Sequence, residues 1–168
     1  MKLRRASAGD AAKLALIGAA SFLETFANDH PGDATVTFIR DYHSEAAWAA
    51  TLAKPDCAVW IVEEVAGCPV GYAVLSPGSL PGTTPEDAEL KRIYVLSRWH
   101  GTGIGRDLFE VAEAEARARG AKRLVLSVYT RNARAIRFYE KQGFVTIGQA
   151  MFAEFPVEFA DNVLAKAL

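Results

Sequence analysis

Residues 90–105 read LKRIYVLSRWHGTGIG, so a strand, a glycine turn and a helix start follow one another directly. The β-branched and aromatic residues Ile93, Tyr94 and Val95 predict the end of a strand that covers residues 86–96. Apolar residues at helical spacing then predict a helix over residues 104–119. This succession decides the fold class, because it joins a strand of a sheet directly to a helix through a glycine-containing turn.

The glycine turn is suited to holding an anion. Glycine lets the backbone come close to a ligand, because no side chain is in the way. The first turn of a helix also presents unpaired N–H groups and the positive end of its dipole, which together favour a pyrophosphate-like group. Arg106 adds a positive charge there. The predicted binding residues of the turn are Gly101, Thr102, Gly103, Ile104, Gly105 and Arg106.

Other glycine motifs fit this stretch less well. A dinucleotide-binding fingerprint needs GxGxxG, and here the third glycine comes one residue early. A nucleotide P-loop needs Gly-Lys-Ser or Gly-Lys-Thr, which the stretch lacks. The turn alone is also compatible with a tight strand-to-helix connection that binds nothing.

A second motif occupies residues 132–144, which read NARAIRFYEKQGF. Asn132 and Tyr139 are two helical turns apart, so their side chains fall near the same helix face. Tyrosine is a weak acid with a pKa of about 10, so Tyr139 is a candidate proton donor to a leaving group. Packing in the core is the alternative, and it is the commoner role of a helical tyrosine.

The rest of the chain predicts a mixed α/β domain. A single domain over residues 1–168 suits the length, since no long linker interrupts the sequence. The order of elements predicts a mostly antiparallel, twisted sheet of about seven strands with about four flanking helices. Further strands are predicted at residues 3–7, 58–65, 70–76, 124–129, 144–147 and 163–168, and further helices at 11–27, 35–53 and 132–142.

Composition excludes several classes of function. The formal net charge of −1 argues against a nucleic-acid-binding surface, which needs a basic excess. No apolar run approaches the length of a membrane span. The two cysteines, Cys57 and Cys68, are too far apart for a CxxC metal or redox pair, and no metal site is expected. We interpret both as buried thiols of a cytoplasmic protein.

The two motifs together resemble the GNAT superfamily of acetyl-CoA-dependent N-acetyltransferases. Residues 93–95, 99–106 and 132–144 carry the resemblance, and residues 161–164, DNVL, look like the usual last strand of the family. The coenzyme motif of the family is Gln/Arg-x-x-Gly-x-Gly/Ala. His100 takes the Gln/Arg position in the preferred alignment, although a second alignment can begin at Arg98. This departure leaves the backbone N–H groups to carry most of the phosphate binding.

The resemblance implies transfer of an acetyl group from acetyl-CoA to an amine. Ile93, Tyr94 and Val95 would pair with the pantetheine arm, and the Val95 N–H would donate to the thioester oxygen. Asn132 would also bond this arm, and Tyr139 would protonate the departing thiolate. Candidate bases that deprotonate the amine are Glu89, which is preferred, then Glu63 and Glu64, or a water chain.

The acceptor is expected to be a small-molecule amine. Glu24-Thr25-Phe26 and residues 89–95 look similar to bacterial polyamine acetyltransferases, and Glu24, Asp29, Asp33 and Asp41 are candidate ligands for a polycation. These carboxylates are equally compatible with ordinary solvated positions. A protein or peptide N-acetyltransferase, a non-catalytic acyl-CoA-binding module and a domain without a ligand are the alternatives. The resemblance also allows a homodimer.

Overall fold

A computed structural model describes residues 1–152 and 159–168. The strands are β1 (Lys2–Arg5), β2 (Ala58–Glu63), β3 (Pro69–Pro77), β4 (Asp87–Val95), β5 (Arg123–Tyr129), β6 (Val145–Phe152) and β7 (Phe159–Ala167). The α-helices are α1 (Ala11–Phe26), α2 (Gly32–Tyr42), α3 (Glu45–Leu52), α4 (Ile104–Ala118) and α5 (Ala133–Lys141). Two short 3-10 helices cover Ala8–Asp10 and Ser97–Trp99.

The seven strands form one sheet in the order β1-β2-β3-β4-β5-β7-β6. Strands β1 and β2, β5 and β7, and β6 and β7 pair antiparallel, whereas β4 and β5 are parallel. The predicted fold class, a mixed sheet of about seven strands with flanking helices, is therefore confirmed. Pairing between β4 and β5 joins Asp87–Glu89 to residues 123–125, although both strands continue beyond those pairs.

The helix predicted over residues 35–53 is in fact two helices. His43 ends α2, and the Ser44 side chain caps α3 by accepting the Ala47 N–H at 3.2 Å. Serine is a strong N-cap because its hydroxyl satisfies a helix N–H that has no partner within the helix. An ideal Cβ at Gly18 of α1 would lie 2.2 Å from the His43 ring nitrogen Nδ1, so this glycine makes room for the imidazole.

The chain divides into two compact units. One comprises Met1–Val74 and Arg92–Ala112, and the other comprises Leu75–Lys91 and Glu113–Leu168. A buried apolar cluster in the first unit contains Ala11, Leu14, Ile17, Trp48, Val59, Ile61, Tyr72 and Val74. The cluster in the second contains Leu80, Val125, Ala150, Val163 and Ala165. That residues 1–168 act as one domain stays a prediction.

The interpretation of both cysteines as buried thiols is wrong. Cys68 is exposed and Cys57 is half-buried, because the turn between β2 and β3 carries Cys68 to the surface. No disulfide links them. Among the helices of the described ranges, none combines the length and the apolar character needed to cross a membrane.

A buried ion-pair network connects β1 to β2 and to the start of α1. Arg4 binds Asp10 at 2.6 Å and Glu63 at 2.8 Å, and Lys13 binds Glu63 at 2.5 Å. Asp10 also accepts the Ser7 N–H at 2.7 Å. The hydrogen bond from Arg4 is the main cause that holds the pKa of Asp10 well below its usual range. Glu63 therefore serves structure, which argues against its use as the base.

We expect Asp10→Asn to lower the free energy of unfolding at pH 7 by about 3 kcal/mol, because it leaves Arg4 without one charged partner. An aspartate whose pKa is lowered by folding stabilises the folded state at pH values above the pKa of about 3.9 that it has in the unfolded chain. This stabilisation is lost as the pH falls through the pKa of the folded state. The difference between the two proteins should shrink below pH 4. Urea unfolding followed by circular dichroism at several pH values measures it.

Asp41→Asn is the matched control, because Asp41 pairs with Arg40 at the surface. Its effect on the free energy of unfolding should be much smaller than that of Asp10→Asn, because solvent screens an exposed pair. Equal effects of the two substitutions at pH 7 would contradict a stabilising role for the buried network.

Candidate functional site

The glycine turn between β4 and α4 needs glycine at two positions. Gly101 has a φ of 81° and Gly103 a φ of 97°, in the left-handed region that other residues adopt only with strain. Helix α4 begins immediately afterwards at Ile104. The backbone conformation therefore turns the chain from strand to helix within a few residues.

This turn leaves several backbone donors without acceptors. The N–H groups of Arg106 and Asp107 both donate to the Gly103 carbonyl, at 2.9 and 3.0 Å. No acceptor for the N–H groups of Gly101, Gly103, Ile104 and Gly105 occurs in the described part of the chain. These donors lie at the positive end of a 15-residue helix dipole, so they can bind an anion.

Gly105 has no local reason to be glycine. It lies in the first turn of α4 without a positive φ, and an ideal Cβ would meet no atom within 4 Å. Glycine in a helix costs roughly 0.5–1 kcal/mol relative to alanine. The same open space adjoins Gly101 and Gly103. An approaching ligand would explain why this side of the turn is bare.

His100 stabilises the turn itself. Its ring nitrogen Nε2 lies 2.7 Å from the Val95 carbonyl oxygen, so Nε2 carries the proton and donates it to this oxygen. Thr102 closes the turn by donating its hydroxyl to the Trp99 carbonyl at 2.7 Å. Arg106 pairs with Glu110 at 2.7 Å on the surface, so its charge is partly balanced. The side chains of this turn thus mainly hold the backbone in place.

Two acidic side chains hold the segment that precedes the turn. Glu24 accepts the Ser97 N–H at 2.9 Å and the Ser97 hydroxyl at 3.1 Å. Glu64 accepts the indole N–H of Trp99 at 2.7 Å. Both carboxylates therefore position the 3-10 helix Ser97–Trp99 that follows β4, a role that sequence spacing could not indicate because their partners are remote in the chain.

Gly71 of β3 is a residue that the sequence analysis missed. A Cβ there would lie 3.0 Å from the Tyr94 carbonyl oxygen and 3.3 Å from the Val95 side chain. It would also lie 3.4 Å from Ile104 at the start of α4. Glycine at this position allows β4 and the first turn of α4 to pack closely. A glycine within a strand pattern is the signal that could have identified it.

Glu89 on β4 is buried, with 4% of its surface exposed. One carboxylate oxygen accepts both the N–H and the hydroxyl of Ser79, at 2.8 and 2.7 Å. Lys91 lies 3.7 Å from the other oxygen. Glu89 therefore ties the loop after β3 to the strand, and it keeps one oxygen outside the contacts with Ser79.

Helix α5 carries the second predicted pair. The Asn132 side-chain oxygen accepts the Ala135 N–H at 3.1 Å and so caps the helix. Tyr139 is buried, and its ring meets Phe138 and Phe144 edge to face at 5.4 and 5.7 Å between centroids. The ring packing fixes the tyrosine, and the cap fixes the beginning of its helix.

Asp161 is a second residue that the sequence analysis missed as a titrating group. It pairs with Tyr129 across β5 and β7, and burial raises its pKa to about 6. A hydrogen bond with Ser127 opposes this shift. Pairing of β7 with β5 brings Asp161 close to Ser127, which is remote in the chain, so no local sequence signal could have revealed the hydrogen bond.

The predicted site residues fall into both units. The stretch at residues 93–95 and the glycine turn belong to the first unit, whereas Glu89, Asn132 and Tyr139 belong to the second. Within the described ranges, no three His, Cys, Asp or Glu side chains are grouped so as to hold a metal ion. The first unit thus carries the glycine turn with its backbone donors, and the second carries the Glu89 carboxylate and the Tyr139 phenol.

Comparisons with known proteins identify relatives over most of the chain. The model of the Acetyltransferase (GNAT) family matches residues 20–144. An uncharacterised N-acetyltransferase of Mycobacterium tuberculosis is 34% identical over 143 residues, covering 85% of this chain and 88% of that protein.

Solved structures resemble the fold over nearly its full length. The PaiA N-acetyltransferase of Thermoplasma acidophilum, in complex with coenzyme A, matches with a TM-score of 0.82 and 20% identity, covering 99% of this chain and 98% of that one. YncA from Salmonella typhimurium, a putative acetyltransferase with its cofactor acetyl-CoA, matches with a TM-score of 0.72 and 25% identity, covering 100% and 94%.

The raised pKa of Asp161 predicts a pH-dependent stability. An aspartate with a folded pKa of about 6 holds its proton more tightly in the folded than in the unfolded state, whose pKa is about 3.9. The free energy of unfolding should therefore fall as pH rises from about 4 to about 6, and Asp161→Asn should remove this fall. Urea unfolding across that range measures it.

Carboxyl carbon NMR can follow the same group directly. Ser127→Ala should raise the apparent pKa of Asp161 further, because it removes the hydrogen bond that lowers it. An Asp161 resonance that titrates near pH 4 in both proteins would refute the effect of burial.

Proposed function

The chain belongs to the acetyltransferase (GNAT) family, and we propose that it transfers an acetyl group from acetyl-CoA to a primary amine of a small molecule. The observation that carries the proposal is the set of N–H groups at the start of α4 that have no acceptor in the described ranges. The pyrophosphate of the coenzyme is an anion suited to these donors. The bare space beside the turn also supports it.

The coenzyme would bind along the backbone from β4 to α4. We propose that the pantetheine arm pairs with β4 at residues 93–95 and that the Val95 N–H donates to the thioester oxygen. Pairing of β4 with β5 stops after Glu89, although β4 continues to Val95. The proposed coenzyme-binding residues are Ile93, Tyr94, Val95, Gly101, Thr102, Gly103, Ile104, Gly105, Arg106 and Asn132.

The reaction is a direct attack of the amine on the thioester carbon. A C–N bond forms while the C–S bond breaks, and the electron pair of that bond leaves on sulfur. We propose that Tyr139 gives its proton to this thiolate, whose conjugate thiol has a pKa of about 8.5. Phe138 and Phe144 hold the ring of Tyr139, so the phenol is fixed before the substrate binds.

The amine must lose a proton before it attacks, since an alkylammonium has a pKa of about 10.4. We propose Glu89 as the acceptor of this proton, either directly or through water. The carboxylate oxygen that is not bonded to Ser79 supports this assignment. Glu64 is a weaker candidate, because its carboxylate already accepts the Trp99 indole N–H.

The nature of the amine distinguishes the remaining hypotheses. A polyamine would need carboxylates that are available for it, but Glu24 binds Ser97 and Asp41 pairs with Arg40. These contacts give the polyamine hypothesis little support. A protein or peptide acceptor is the second candidate, and a module that only binds acyl-CoA is the third. We also propose a cytoplasmic location, and a homodimer stays a hypothesis.

Tyr139→Phe should lower kcat roughly 100-fold with saturating substrates, because general acid catalysis typically contributes factors of this size. Binding of acetyl-CoA should remain the same, since phenylalanine keeps the ring contacts. Steady-state kinetics of thiol release and calorimetry measure the two quantities. Tyr42→Phe on α2 is the control. Unchanged turnover in Tyr139→Phe would exclude the tyrosine as the acid.

Gly105→Ala should raise the Kd of acetyl-CoA at least tenfold, or about 1.4 kcal/mol, because the new methyl group occupies the bare side of the turn. Thermal stability should stay equal or rise, since alanine favours the helix. Gly32→Ala is the matched control, because Gly32 also begins a helix and its Cβ would meet no atom within 4 Å. Equal coenzyme affinity in the two variants would refute the phosphate site.

A further inference from the structure

Arg92 on β4 is a half-buried arginine without a carboxylate partner in residues 1–152 and 159–168. Its guanidinium lies over the ring of Trp48, 5.6 Å from the ring centroid. Two other arginines with largely covered side chains are each paired: Arg4 with Asp10 and Glu63, and Arg123 with Asp87. A covered charge that lacks an opposite charge is costly, so Arg92 is an exception that needs an explanation.

The surroundings of Arg92 include a hydrogen-bond donor without an acceptor, and no carboxylate pairs with the guanidinium in the described ranges. The indole N–H of Trp48 is buried and has no acceptor in the described part of the chain. The Trp48 ring meets Tyr72 edge to face at 5.2 Å, and Tyr72 stacks on Tyr94 at 5.7 Å. Indole and guanidinium groups only donate hydrogen bonds. The cluster of Trp48, Tyr72, Arg92 and Tyr94 therefore suits an anionic group and disfavours a cation.

His43 adds no further charge beside Arg92. It is buried beside Trp48, with 5.9 Å between the ring centroids. Burial, and next the positive charge of Arg92, lowers the pKa of His43 to about 3, so the imidazole is neutral at physiological pH. The cluster thus carries one net positive charge, that of Arg92.

We propose that Arg92 binds a carboxylate of the acceptor, so that the acceptor is a primary amine that also carries a carboxylate, as an amino acid does. This inference rests on the proposed function. Arg92 precedes Val95 by three strand residues, about 10 Å of backbone, so one small molecule can reach both. A guanidinium binds a carboxylate through two parallel hydrogen bonds, which fixes the orientation of the ligand.

The test uses pairs of amines that differ only in the carboxylate, such as lysine with cadaverine and phenylalanine with phenethylamine. Release of free thiol from acetyl-CoA gives kcat/KM for each member. The kcat/KM of the wild type should be at least tenfold higher for the carboxylated member of each pair. Arg92→Met keeps an apolar stem but removes the charge, and it should lower kcat/KM for the carboxylated member roughly 50-fold, since a hydrogen bond to a charged group is worth a few kcal/mol. The kcat/KM for the decarboxylated member should change less than about twofold, because this amine has no carboxylate to bond with Arg92.

Two further variants separate recognition from structure. Arg92→Lys keeps the charge without the planar fork and should give an intermediate loss, which also serves if Arg92→Met does not fold. Arg117→Met is the control, because Arg117 is paired with Glu113 on α4. The Arg117→Met variant should have the kcat/KM of the wild type for both members of each pair.

Several outcomes would overturn the inference. One is a wild type whose kcat/KM for polyamines or other amines without a carboxylate equals that for the carboxylated amines. Another is an equal loss of kcat/KM for both members of a pair in Arg92→Met. If no amine releases thiol, calorimetry with amino acids on the coenzyme complex decides, and binding that Arg92→Met does not weaken overturns it. Failure of the wild type to bind acetyl-CoA would instead refute the proposed function.

Discussion

The first turn of α4 imposes the constraint on which the candidate site depends. A helix cannot satisfy its own first N–H groups, so they need a cap, water or a ligand. Here Gly103, the residue directly before the helix, has no side chain that could act as a cap, and the Thr102 hydroxyl donates to the Trp99 carbonyl instead. The donors consequently remain without an acceptor in the described ranges, and the space beside the glycines of the turn is open. The proposed binding of an anion at this place rests on backbone donors more than on any charged side chain.

Polar side chains elsewhere in the first unit hold this backbone in position. His100 holds the Val95 carbonyl, Glu24 binds Ser97, and Glu64 binds Trp99. Rigid support of this kind is what a site based on main-chain donors requires, because such donors act only when their direction is fixed before the ligand arrives.

The distribution of charge narrows the choice of acceptor. Buried carboxylates of the chain have partners: Asp10 and Glu63 bind Arg4, and Asp87 binds Arg123. Arg92 is the covered cation without such a partner in the described ranges, and aromatic rings with donor groups surround it. A polycation would find few available carboxylates here, whereas an acidic ligand would find an available guanidinium. The charge pattern therefore favours an amine that carries its own negative group.

The sequence by itself determined the features that depend on neighbouring residues. Strand β4, the glycine turn, helix α4 and helix α5 follow from side-chain periodicity and from the backbone freedom of glycine, so their positions were predicted nearly to the residue. Tertiary structure alone decided which side chains meet. Contacts between different elements include Ser79 on Glu89, Ser127 on Asp161 and Trp48 under Arg92. Such contacts depend on strand register and helix packing, which no local pattern encodes, and for this reason the elements were predictable whereas the side-chain contacts between them were not.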